Sequence, residues 1–294
     1  MPASVVVNDP GGAEDGTVDG AGADVGAAES VVREIVERGG EAVASIESVA
    51  DWDGARRIVE TALEAYGDLH VVVNNAGIQR NRALVELTED DFRGVLDVHL
   101  GGTVAVTHWA ARHWRDRHDS GDRVDRALVN TVSSSGLNTP LPLHTGYATA
   151  KAGVAAFTIV AALELQRYGV RVNAVAPSRA RTRLTDPNLP PEPPSGFDPF
   201  HPRNISPLYA YLATADCPLT GQLFSAFGNT VTAYRRWRLA ESIETDGTWR
   251  IDDLADRLPS LPVEDPRTLL AEALGVLGSD DLERMLDEVL SGAH

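Results

Sequence analysis

Cysteine and lysine are nearly missing from this sequence. The one cysteine, Cys217, excludes an internal disulfide and suits a reducing compartment, so a cytoplasmic setting is expected. Positive charge is scarce as well: 26 basic residues stand against 43 acidic ones, a net charge of −17. A chain this acidic lacks the basic surface that nucleic acid or an anionic membrane demands, and neither is expected as a partner. No basic segment followed by an apolar stretch opens the chain, as a secretory signal would. The longest near-apolar run, from Ala152 to Leu163, is shorter than the roughly 20 residues that cross a bilayer. It reads as a buried helix. Of the 26 basic residues, 25 are arginine and one is lysine, Lys151.

What is present, in 294 residues, is enough chain for a full core. Strand-like and helix-like segments alternate up to about residue 228. The β-branched runs Ser4–Asn8, Ala42–Ile46, His70–Asn74, Arg126–Val132, Arg171–Ala176 and Gly221–Phe227 are expected to be strands. Between them, helical spacing marks Ala28–Arg38, Asp51–Tyr66, Thr88 to about His99, Gly102–Arg117, Tyr147–Tyr168 and Ser206–Ala213. This alternation predicts an α/β fold, a doubly wound parallel sheet of Rossmann type with helices on both faces. Such sheets bind ligands at the carboxyl ends of their strands. The domain is expected to cover residues 1–230, and residues 231–294 an extension, largely helical from Pro266 onward. The proline-rich stretch Asp186–Pro202 is too long for a plain connector and reads as a lid or substrate loop.

The sharpest chemical signal is Tyr147-Ala-Thr-Ala-Lys151. On a helix, i and i+4 share a face, so phenol and ammonium reach one cleft. A phenol with a pKa near 10 is a poor proton donor or acceptor at neutral pH, and a nearby cation brings it toward working range. With six tyrosines in 294 positions, chance puts one four residues ahead of a given site about 2% of the time. That the only lysine stands here makes a coincidental surface pair a poor explanation. Upstream, Ser133, Ser134 and Ser135 end a strand, where a hydroxyl can polarise a substrate oxygen. The turn Asn74-Asn75-Ala76-Gly77 ends another strand with small residues that permit close ligand approach.

Asn74-Asn75-Ala76-Gly77, Ser133, Tyr147 with Lys151, and Val172-Asn-Ala-Val-Ala-Pro177 together resemble the short-chain dehydrogenase/reductase family over roughly residues 4 to 228. Three further stretches, Val5-Val-Val-Asn8-Asp9-Pro-Gly-Gly12, Arg38-Gly-Gly-Glu-Ala-Val and Asp97-Val-His99-Leu100, are similar to the (3R)-hydroxyacyl-CoA dehydrogenase unit of peroxisomal multifunctional enzymes type 2. The resemblance implies Tyr147 as general acid/base, Lys151 as the cation that lowers its pKa and holds the nicotinamide ribose, and Ser133 or Ser134 as carbonyl partner. Ser133 fits the family's serine-to-glycine spacing through Gly136, and Ser134 its serine-to-tyrosine spacing. His99 stands where the family has an asparagine in a water-linked proton relay; it is read either as that relay or as a structural histidine. Asp9 matches the acid that binds both adenosine ribose hydroxyls and repels a 2′-phosphate, which favours NAD over NADP. Ser48, Val49 and Asn75 match adenosine-side contacts, and Thr182 the nicotinamide end. A small-molecule alcohol or ketone substrate and a homodimer or homotetramer are implied too.

One part of the family pattern is missing. Its first strand, the glycine-rich loop and the helix that seats a pyrophosphate have no counterpart before Ser4. Losing that strand is expected to leave an unpaired sheet edge and no phosphate cradle. Gly16-Thr-Val-Asp-Gly20-Ala-Gly22 mimics the glycine spacing, but Glu14, Asp15, Asp19 and Asp24 would repel a pyrophosphate, and it reads as a flexible acidic insertion. His108, His113 and His118, five residues apart, scatter around their helix among arginines, so a solvated face and no metal are expected.

Overall fold

A computed structural model describes residues 3–17, 24, 26–182, 189–193, 195–235, 241–262, 265–276 and 284. Local chemistry starts and stops its elements where the pattern predicts. Helix α2 (Trp52–Tyr66) opens on Asp51, whose carboxylate accepts from the Asp53 and Gly54 amides, and closes at Gly67 in the left-handed region. Helix α3 (Glu89–Leu96) opens on Thr88, whose hydroxyl accepts from the Asp91 amide. The other helices before the site are α1 (Ala27–Glu37) and α4 (Gly102–Asp119). Those after it are α5 (Thr145–Leu165) and α6 (Ser206–Ala213).

The strands are β1 (Ser4–Asn8), β2 (Glu41–Ser45), β3 (Val71–Asn74), β4 (Arg126–Thr131), β5 (Val170–Pro177), β6 (Leu223–Phe227) and β7 (Thr230–Ala233). They form not one sheet but two: β1 pairs with β2, and the larger sheet runs β3-β4-β5-β6-β7. All pairings are parallel except β6 with β7. Strand β4 is paired on both sides, with Ala127, Leu128 and Val129 fully buried. On one face Leu128 and Val172 meet Trp114 and Ala110 of α4, Ala55 and Val59 of α2, and Ala161 of α5. On the other, Val129 and Val175 meet Leu212 of α6 and Cys217. Helix α5 with its last turn, Thr145–Tyr168, is long and apolar enough to cross a membrane by length and composition, more than the run Ala152–Leu163 suggests. It is packed along β5 over the core of this fold.

The division between the sheets matches the absence of a strand noted in the sequence. Strands β1 and β3 each pair on one side only, and Val71 and Val73 of β3 are 36% and 46% exposed. The bridge between the sheets is made by side chains and loops: Tyr66 of α2 donates to the Val5 carbonyl at 3.4 Å. Of the stretch read as a flexible acidic insertion, only its first residues, Gly16 and Thr17, are described, and the chain leading into them is held in place. Within residues 10–17, the Glu14 carbonyl accepts from the Gln79 amide at 2.9 Å, the Asp15 carbonyl accepts from Arg80 Nε at 2.7 Å, and Gly16 faces the Ile78 side chain. These contacts tie the segment to the turn beyond β3. Gly20 and Gly22 lie outside the described residues.

Other departures have local causes. The helices expected on either side of residue 100 are one continuous helical rod, joined by a π-helical turn over Asp97–Gly101. Strand β6 is not the last: β7 folds back on it, so the sheet continues past residue 230, where the domain was expected to end. The extension adds α7 (Ile251–Arg257) and α8 (Pro266–Val276), with Leu270 buried. Residues 186–188 and 194 of the proline-rich loop lie outside the described residues. The histidines of α4 are not a solvated face throughout. His113 Nε2 sits 2.6 Å from Asp68 Oδ1, in a network with Arg126, Arg117 and Asp122. His108 packs against Trp52 and Trp109.

Candidate active site

The carboxyl end of β4 and the first turns of α5 bring together Ser133, Tyr147 and Lys151. Gly136 makes this closeness possible: a Cβ there would lie 2.6 Å from the Ala152 amide nitrogen and 2.8 Å from the Ala148 carbonyl oxygen. With no side chain, the loop after β4 lies directly on the helix. The Ser133 hydroxyl then lies beside the Tyr147 phenol and accepts from the Ser135 amide at 3.2 Å. Ser134, one residue on, starts a short 3-10 turn whose carbonyl accepts from Leu137, Asn138 and Thr139. Of the two serines, the geometry brings Ser133 to the phenol.

Lys151 is buried, its Nζ donating to the Thr131 carbonyl at 2.7 Å and lying 5.8 Å from the centre of the Tyr147 ring. Burial of the ammonium pushes its pKa down to about 7. The Tyr147 pKa moves opposite to the sequence expectation. Burial raises it above the usual phenol value, and the Ser133 hydrogen bond opposes this only in part. The cation sits over the ring and bonds a carbonyl, so in this arrangement burial prevails over the expected lowering.

His99 projects from the π-helical turn into the same region. Its ring meets Tyr147 edge-on at 5.1 Å, and its Nε2 lies 2.7 Å from the Ile78 carbonyl oxygen and 3.1 Å from the Ile78 nitrogen. The Ile78 amide only donates and its carbonyl only accepts, so the two contacts ask opposite roles of Nε2 and either ring nitrogen can carry the proton. The His99 Nδ1 is buried and makes no hydrogen bond among the described residues. Burial, with the Lys151 charge adding to it, pushes the His99 pKa down to about 3, so the imidazole is neutral. Gly77 accommodates the ring; a Cβ there would stand 2.4 Å from His99 Cε1.

The residues matched to a cofactor fall at neighbouring strand ends. Asp9 follows β1, held to β2 by its amide on the Ser45 carbonyl, and one of its carboxylate oxygens accepts from the Gly11 amide at 2.7 Å. Ser48 and Val49 follow β2. The Val49 side chain and carbonyl lie against Gly102 at the start of α4. Asn75 follows β3, its Oδ1 accepting from Thr131 Oγ1 at 3.1 Å. Thr182 follows β5 in a turn, its amide donating to the Ala180 carbonyl. No described residue between β1 and β3 forms a cradle for a pyrophosphate.

Sequence reasoning missed Thr131 and Tyr209. The Thr131 side chain contacts Asn75 and, at 2.8 Å, the Tyr209 hydroxyl from α6. Tyr209 is 62 residues from Tyr147 and carries no motif, so only the fold reveals it.

Comparison with known proteins places this geometry. The family model for short chain dehydrogenase matches residues 13–192. The short-chain type dehydrogenase/reductase Rv0148 of Mycobacterium tuberculosis is 40% identical over 78% of this chain and 75% of its own length. Hydroxyacyl-CoA dehydrogenase ChsB1 of the same organism is 36% identical over 84% and 77%. Peroxisomal multifunctional enzyme type 2 of Drosophila melanogaster is 37% identical over 78% of this chain, which spans 36% of that longer protein. Among solved structures, a short chain dehydrogenase from Mycobacterium avium superposes with a TM-score of 0.77 at 41% identity, covering 88% of this chain and 86% of that one. A gluconate 5-dehydrogenase from Burkholderia cenocepacia, solved with NADP and tartrate, gives 0.53 at 26% identity over 63% and 64%. The chain belongs to the short-chain dehydrogenase/reductase family, and its relatives include hydroxyacyl-CoA dehydrogenases.

Proposed function

We propose that the protein is an NAD-dependent oxidoreductase that interconverts a secondary alcohol and a ketone. The observation that carries this reading is the contact of Ser133 with Tyr147 above the buried Lys151. Tyr147 takes the hydroxyl proton in oxidation and returns it in reduction. Ser133 donates its one proton to the substrate oxygen, holding that oxygen beside Tyr147. Lys151 supplies the charge that steadies the phenolate. His99 Nδ1, buried with no partner among the described residues, hydrogen-bonds a water that passes the proton outward. Bound nicotinamide supplies the hydride acceptor or donor; Asp9, Ser48, Val49, Asn75, Thr182 and Lys151 hold its two ends. The Asp9 carboxylate favours NAD, although the Burkholderia neighbour carries NADP. Kinship with hydroxyacyl-CoA dehydrogenases supports a 3-hydroxyacyl thioester as substrate, with steroid or polyketide-like alcohols as alternatives. The assembly is a homodimer or homotetramer through α4 and α5, acting in the cytoplasm.

A second reading has its own observation. The gap between β1 and β3, with no phosphate cradle among the described residues, fits a scaffold that keeps the fold and binds no cofactor. Calorimetry with NAD separates the two. Heat of binding, together with NADH formation from a 3-hydroxyacyl thioester that Tyr147→Phe abolishes, supports the enzyme. Absence of NAD binding supports the scaffold, and undiminished turnover by Tyr147→Phe refutes the assignment of Tyr147.

A further inference from the structure

Tyr209 belongs to none of the motifs above, yet it enters the site by a directional chain of hydrogen bonds. Asn75 Oδ1 has lone pairs only, so Thr131 Oγ1 must donate to it across their 3.1 Å contact. With its single proton spent, Thr131 Oγ1 can only accept from the Tyr209 hydroxyl, 2.8 Å away. Tyr209 is therefore the donor. Burial, joined by the neighbouring Tyr147, pushes its pKa up to about 12, so it keeps its proton over the whole working range. The same Thr131 gives its carbonyl to Lys151. One residue of β4 thus links α6, the turn after β3, and the lysine of α5.

We infer that Tyr209 is a positioning residue for the cofactor side of the site: through Thr131 it locks the Asn75 amide with Oδ1 inward and the Nδ2 donor facing the ligand. This inference rests on the proposed oxidoreductase function. Without the Tyr209 hydroxyl, Thr131 Oγ1 keeps its one proton but loses the donor that fixes its own orientation, so that proton is free to turn away from Asn75 Oδ1 and the Asn75 amide loses its anchor. Tyr209 does not touch the reacting atoms. Its loss weakens ligand binding and leaves the Ser133–Tyr147 contact intact.

The test is NAD affinity by calorimetry on the full chain, with thermal midpoints measured alongside. Tyr209→Phe and Thr131→Val are each expected to weaken NAD about 3- to 10-fold, the range of one hydrogen bond. The double variant should fall no further than the weaker single one, because both break one chain of contacts. Thr131→Ser keeps the hydroxyl and should restore affinity to within about 2-fold of the unaltered protein. In turnover assays the KM for NAD should rise by the same factor with kcat unchanged, a split that general loosening of the fold would not give. Unchanged affinity in Tyr209→Phe, multiplying effects in the double variant, or failure of Thr131→Ser to restore binding would each overturn the inference while NAD still binds the unaltered chain. If Tyr209→Phe does not fold, the Thr131 pair decides alone. No NAD binding by the unaltered chain overturns the proposed function itself, and the inference with it.

Discussion

Lys151 is the only lysine, and this permits a direct measurement of the site's electrostatics. Feeding cells lysine carbon-13 labelled at Cε produces one side-chain resonance, which reports Lys151 alone. Its ammonium is 4% exposed as a residue, and its one hydrogen bond is to the Thr131 carbonyl. The titration midpoint is expected near pH 7, against 10.5 for an ordinary lysine. The same shift acts on stability. Between those two values the unfolded chain holds a proton that the folded chain has released, so stability rises with pH through this window. Below pH 7 the full penalty is present, at most about 5 kcal/mol for a shift of that size. Lys151→Met removes it: the variant should lose activity yet melt at higher temperature than the unaltered protein at pH 6, with the difference shrinking toward pH 10. Chemical denaturation of the pair at several pH values measures this. A Cε midpoint above about 9, or a stability difference that does not change with pH, would refute the account of burial as the dominant influence.

Three further outcomes follow from close contacts at the site. Ser133→Ala should lower kcat about 100-fold or more, and Ser134→Ala less than about 5-fold, with steady-state assays deciding which hydroxyl meets the substrate. Gly77→Ala drives a Cβ into His99, so it should cost about 1–3 kcal/mol of stability in denaturant melts and most of the activity. Gly136→Ala, which would press on backbone atoms of α5 and not on a flexible side chain, should cost more than Gly77→Ala in the same melts. Fusing a β-strand and a glycine-rich turn upstream of Ser4 should raise the thermal midpoint and tighten NAD binding; a melt and a calorimetric titration show whether either occurs.

Periodicity carried the parallel strands because buried β-branched runs such as Ala127–Val129 must lie in a covered sheet. The pair Tyr147 and Lys151 was legible because a helix fixes the relation of i to i+4 whatever surrounds it. Features that depend on long-range contact were not legible. The hold on Glu14 and Asp15 comes from Gln79 and Arg80 of a distant turn, which no local pattern reveals. His113 looks solvated by its arginine neighbours, but its partner Asp68 comes from a loop 45 residues away. The direction of the Tyr147 shift failed for a related reason. Sequence tells which charge is near, and only packing tells how far burial outweighs it.

The divided sheet also governs how the native state opens. In a continuous sheet, each ladder is locked by the next, and the amides of central strands exchange with solvent only on global unfolding. Here β1 and β2 share a ladder of five residue pairs that stops at β1, while β4 is bonded on both sides. The β1–β2 ribbon is therefore a separate cooperative unit, able to detach while the β3–β7 sheet persists. Deuterium uptake should be fastest along Ser4–Asn8 and slowest along Arg126–Thr131. The open edges of β1 and β3 carry a second consequence: at high concentration they offer templates for strands of neighbouring molecules, so self-association should grow with whatever populates the detached ribbon.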